Sequence, residues 1–151
     1  MIERIHTAYK GEVYGISFFT YFAKYYSDST FIPLWKSLIQ VEILTADLIQ
    51  VSLNRHAISY NRDDSLMIEK GLNDAKKWID LPWQELVETL AQWVEPYEEK
   101  YRDWASQATQ DIEVFELISA HETAIYECWK AERNGQSGIP HLLAFIKAYT
   151  I

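Results

Sequence analysis

Cysteine is almost absent from this chain of 151 residues, and the single thiol of Cys128 cannot form a disulfide within it. Nothing in the cysteine content therefore indicates an oxidising compartment. No stretch reaches the roughly eighteen uninterrupted apolar residues of a membrane span, and Glu3, Arg4 and Lys10 interrupt any apolar segment of signal-peptide type. We therefore expect no export, no membrane span and a cytoplasmic protein.

Familiar motifs of catalysis and nucleotide binding are also missing. The chain has no Gly-x-Gly-x-x-Gly, no phosphate loop, no Gly-x-Ser-x-Gly and no Cys-x-x-Cys. Positive charge is scarce too, since the net charge is −8 and residues 80–116 hold ten acidic residues against Lys100 and Arg102. Such a surface repels phosphate backbones, so we expect no nucleic-acid partner. A solvated helix face explains the acidic run.

Apolar and aromatic residues are abundant by contrast. The hydrophobic fraction is 48%, and six tryptophans, ten tyrosines and six phenylalanines exclude a disordered chain. The length fits one domain covering residues 1–151. Apolar positions recur at helical spacing, as in Ile5, Tyr9, Ile16 and Phe19. The predicted helices cover residues 2–28, 31–57, about 65–78 in a polar connector, 80–107, 110–134 and 137 to the end.

Loop lengths predict how the four long helices connect. Short loops join the first to the second and the third to the fourth, so each pair should form an antiparallel hairpin. The twenty-odd residues of the connector can run the length of a long helix, about 39 Å. We therefore predict an all-α four-helix bundle with a long crossover between the second and third long helices and a short C-terminal fifth helix.

Two glutamates interrupt the apolar stripes of the first hairpin. Glu12 stands four residues before Ile16, and Glu42 follows Leu38 by one turn. A carboxylate in a core costs several kcal/mol unless it is paired or binds a cation. With the hairpin turn near residue 29, the two acids lie at similar heights and can face each other.

A histidine and a third glutamate interrupt the apolar pattern of the 110–134 helix. His121 and Glu122 straddle its buried stripe, so one or both could reach the axis of the bundle. Together with Glu42, the segments Gly11-Glu12-Val13-Tyr14-Gly15 and Ala120-His121-Glu122 resemble the ferritin-like superfamily, which includes rubrerythrin-type and other di-iron carboxylate proteins.

The resemblance implies a set of metal ligands. In that family a glutamate from each of two helices and a Glu-x-x-His pair from each of the other two hold two metals. By similarity, Glu12 matches the single ligand of the first helix, Glu42 the glutamate of the second-helix pair, and His121 the histidine of the fourth-helix pair. Thr45 stands in place of the second-helix histidine, and Ile118 in place of the fourth-helix glutamate.

The third long helix supplies no clear ligand, because Glu88 and Glu95 point away from its apolar face and Glu98 lies only near the edge. Three of six expected ligands are therefore present. We predict a degenerate di-iron-type site that binds a single ion, iron or another divalent metal, or a small molecule, with oxygen-linked redox chemistry. Its predicted residues are Glu12, Glu42, His121 and Glu122.

Metal-free alternatives stay open, and with them the question of enzymatic activity. Either buried glutamate can hydrogen-bond a core tyrosine such as Tyr9 or Tyr97, or pair with the histidine. The chain would then be a non-enzymatic binding or assembly module without a cofactor. In either case we expect a homodimer formed through aromatic surface such as Trp93 or Trp129. Cys128 is expected to be a small buried hydrophobe.

Overall fold

The computed structural model describes all 151 residues, and its regular elements are helical. The helices are α1 (Ile2–Tyr25), α2 (Ile32–Arg55), α3 (Ser65–Trp78), α4 (Trp83–Gln107), α5 (Ile112–Arg133) and α6 (Ile139–Tyr149), with a 3-10 turn at Ser29–Phe31. The all-α prediction is confirmed, including the short helix within the connector. None of the helices combines the length and apolar character needed to cross a membrane.

Local signals placed some helix ends correctly and missed others. Pro33 lies in the first turn of α2, and Gly135 adopts a left-handed φ of 76° after α5, the positions that proline and glycine favour at helix ends. Asp80 and Thr109 are residue types that favour N-caps near the predicted starts of these helices, but α4 is preceded by Pro82 and α5 by Asp111. Pro82 is not a residue type that the capping rule favours, and Asp111, which is one, adopts a left-handed backbone with φ 53° and makes no capping hydrogen bond with its side chain.

The chain divides into two compact units, an N-terminal unit (residues 1–80) and a C-terminal unit (residues 81–151). In the N-terminal unit, α1 packs against both α2 and α3. Its core is aromatic: the Phe22 ring stacks on Trp35 at 4.7 Å, and Phe18 contacts Phe22 at 5.0 Å. The α1–α2 pairing is the predicted first hairpin. The single domain and the four-helix bundle stay predictions.

Helix α3 is fixed closely to α1. A Cβ on Gly71 would lie 2.6 Å from the Tyr14 carbonyl oxygen, so only glycine permits this approach. The Tyr14 hydroxyl donates to Asp74 at 2.7 Å, and Ser17 donates to the Ile68 carbonyl at 2.7 Å. Partial burial alone would raise the pKa of Asp74, but the hydrogen bonds from Tyr14 and Lys77 hold it below its ordinary value. The connector is therefore an anchored part of this unit.

In the C-terminal unit, α5 packs against both α4 and α6. Trp129 is fully buried, with its ring 6.3 Å from Trp83, so the prediction that it forms exposed dimer surface is wrong. Trp93 is only partly exposed. Homodimerisation itself stays a prediction.

Candidate metal centre

Glu12 and Glu42 occupy neighbouring positions on the α1–α2 hairpin. Their side chains are buried, with exposed fractions of 2% and 5%, on the inward stripes that the sequence indicated. One carboxylate oxygen of Glu12 lies within 4.8 Å of one of Glu42. Counting residues from the hairpin turn placed the two acids at similar heights, and the coordinates agree with that count.

Gly15 makes room for the Glu42 carboxylate. A Cβ at this position would lie 2.6 Å from Glu42 Cδ and 2.8 Å from both carboxylate oxygens. The carboxylate therefore lies against the backbone of α1, one turn after Glu12. The Gly-Glu-Val-Tyr-Gly segment drew attention to this region, but nothing in the sequence showed that its second glycine faces Glu42.

The closeness of the two carboxylates has an electrostatic consequence. If both are ionised, two negative charges no more than 4.8 Å apart repel each other by at least about 3 kcal/mol at an effective dielectric constant near 20. A shared proton or a nearby cation removes that cost. A divalent cation does so while both groups keep the ionised state that coordinates metals.

His121 lies on α5 with an exposed fraction of 3%. Its Nδ1 lies 3.3 Å from Oε2 of Glu122, and its ring meets Phe145 of α6 edge to face, with the ring centres 6.1 Å apart. Glu122 therefore lies beside the imidazole, and its role as a direct metal ligand stays a prediction.

The three buried residues carry donor atoms of kinds that bind metals. Glu12 and Glu42 offer carboxylates in the N-terminal unit, and His121 offers an imidazole in the C-terminal unit. Oxygen and imidazole donors suit iron, manganese and zinc, whereas the absence of thiolate argues against copper(I).

Thr45 and Ile118, which stand where the resemblance would require ligands, are engaged in other ways. The buried Thr45 hydroxyl donates to the Val41 carbonyl at 2.8 Å, inside its own helix, and Ile118 is fully buried and apolar. Glu98 is buried on α4, deeper than its edge position indicated. It accepts hydrogen bonds from Arg102 at 3.2 and 3.4 Å and from Thr123 at 3.2 Å, so its charge is already balanced.

The two tyrosines proposed as partners of a buried glutamate differ in their exposure. Tyr97 is 42% exposed, so it is not a core tyrosine and that alternative is wrong. The Tyr9 hydroxyl is buried and accepts a hydrogen bond from Gln50 at 2.7 Å, with Arg62 as a further partner.

Cys128 is fully buried, and burial raises the pKa of its thiol far above the ordinary range, which confirms an inert small hydrophobe.

The acidic residues of α4 and α5 lead to a prediction about partners. Glu85, Glu95, Glu99 and Glu113 are exposed on these helices, in a chain with a net charge of −8. We expect no mobility shift with DNA or RNA at 150 mM salt in a gel assay. A shift that weakens steeply as salt rises would contradict this expectation, because that dependence identifies phosphate contacts.

No family model, curated protein or solved structure matches the chain. The resemblance to the ferritin-like superfamily therefore depends on the residues quoted for it and stays a prediction.

Proposed function

We propose that this protein binds one divalent transition-metal ion through Glu12 and Glu42, with His121 as the third ligand. The observation that carries the proposal is the pair of buried carboxylates with oxygens within 4.8 Å on the α1–α2 hairpin. A divalent ion balances the two negative charges, and the imidazole adds a neutral donor.

The type of centre follows from the number of ligands. Thr45 and Ile118 remove two ligands of a di-iron site, and Glu98 is occupied by Arg102, so a second ion would lack donors. Three protein ligands leave coordination positions open on one ion, as in metal sites that bind small molecules. A mononuclear iron or manganese centre with oxygen-linked chemistry in a ferritin-like bundle is the form we propose.

Metal titration tests the proposal directly. Metal-free protein titrated with Mn²⁺ or Fe²⁺ under anaerobic conditions should bind one ion per chain, measured by calorimetry and elemental analysis. His121→Gln should weaken binding at least about tenfold, since losing even an outer-shell partner of a metal ligand costs 10–100-fold.

His141→Gln is the matched control, because His141 is exposed on α6 and the same replacement there should leave affinity unchanged. Absence of binding by the parent protein would favour the metal-free assembly module. Two ions per chain would contradict the single-ion centre, and equal affinity of the two histidine variants would exclude His121 as a ligand.

A further inference from the structure

A groove lies on the N-terminal unit between α1 and α3, separate from the two glutamates. Its volume is about 640 Å³, within the range of small-molecule sites. Ile16, Tyr21, Ile68 and Leu72 contribute apolar lining, and the connector before α3 contributes Arg62 and Asp63. The groove is thus formed by residues 13–76 alone.

The spacing of the lining residues gives the groove an elongated shape. On α1 they recur from Val13 to Lys24 at intervals of three and four, which is one face of a helix over about 16 Å. On α3, Ile68, Leu72 and Lys76 follow one another at intervals of four. These two rows are mostly apolar, with lysines at Lys24 and Lys76, and their length fits an extended hydrocarbon chain better than a compact polar molecule.

The charges at the groove favour an anion. Lys24, Lys76 and Arg62 line it against the single acid Asp63. Arg62 is paired with Asp47 at 3.0 Å, so the two exposed lysines provide the net positive charge. In a chain with a net charge of −8, an apolar groove bordered by cations is complementary to an amphiphile with a negative head.

We propose that this groove binds one amphiphilic carboxylate of fatty-acid type, with the hydrocarbon chain between α1 and α3 and the carboxylate near Lys24 and Lys76. The ligand is a single molecule taken from solution. The proposal is independent of the metal centre, and metal-free protein should bind the ligand equally well.

Calorimetric titration with laurate, below the concentration at which it forms micelles, tests the site. The parent protein should show saturable binding of one molecule. Thr20→Trp places a large ring in the groove from an exposed position on α1 and should weaken binding at least about tenfold, since excluding two methylene groups already costs that much. Thr7→Trp, at an exposed position of α1 outside the groove, should bind as the parent does.

The head-group preference is tested by charge. Replacing Lys24 and Lys76 together with glutamine should weaken laurate binding about fivefold, whereas Lys10→Gln with Lys36→Gln, exposed and outside the groove, should not. Dodecyltrimethylammonium should bind more weakly than laurate. The proposal is overturned if laurate binding does not saturate, or if laurate and dodecyltrimethylammonium bind equally well. It is also overturned if Thr20→Trp and Thr7→Trp bind laurate with equal affinity. The proposal would also be overturned if the protein sedimented with anionic vesicles but showed no saturable binding of laurate, because the ligand would then be a membrane surface.

Discussion

Replacing Glu42 with glutamine should lower the melting temperature of the metal-saturated protein by roughly 5 to 10 °C. An ion that binds only the folded state at 100 times its dissociation constant adds about 2.7 kcal/mol to the free energy of unfolding. For a chain of this length, each kcal/mol corresponds to about 2–4 °C. The amide removes the charged ligand, so this gain disappears, and elemental analysis should show the loss of bound metal.

The same substitution should act in the opposite direction on the metal-free protein. Without an ion, the neutral amide relieves the repulsion between Glu42 and Glu12, and the melting temperature should stay equal or rise. Glu69→Gln is the control, because Glu69 is exposed on α3 and its replacement should change neither melting curve. A Glu42→Gln protein that melts like the parent in saturating metal would refute the proposed site.

Two glycine substitutions of identical chemistry should have opposite consequences. In Gly71→Ala, the new Cβ meets the Tyr14 carbonyl oxygen at 2.6 Å, and backbone cannot move aside. The α1 and α3 helices must separate. The free energy of unfolding should therefore fall by about 1–3 kcal/mol, even after counting the roughly 1 kcal/mol that alanine gains over glycine inside a helix.

In Gly15→Ala, the Cβ meets the Glu42 carboxylate, the far end of a flexible side chain. The carboxylate can turn away, so the metal-free protein should be as stable as the parent or slightly more stable. Metal affinity should fall at least about tenfold because a displaced ligand no longer has the required geometry.

Denaturant unfolding and metal titration of both variants separate the two effects. Gly71→Ala should lose stability, and Gly15→Ala should lose metal affinity at preserved stability. Equal loss of stability in both would mean that the Glu42 carboxylate is as rigid as backbone. Unchanged affinity in Gly15→Ala would mean that the position of this carboxylate does not matter for the ion.

The sequence by itself determined the helices and the inward orientation of the acids. Helical periodicity assigned Glu12, Glu42 and His121 to apolar stripes, and all three are buried. Periodicity works here because it depends only on the 3.6-residue repeat, which each helix carries in its own sequence. The short helix within the polar connector was also predicted, at about 65–78.

Tertiary structure alone decided which partner each side chain meets. Periodicity assigns a residue to a face of a helix but does not tell how deeply its side chain is buried. Tyr97 was expected in the core and is exposed, whereas Trp129 was expected at the surface and is buried. The space that Gly15 leaves for Glu42 and the groove between α1 and α3 depend on how closely two helices approach. That distance is set by side chains from distant parts of the chain, which no local pattern encodes.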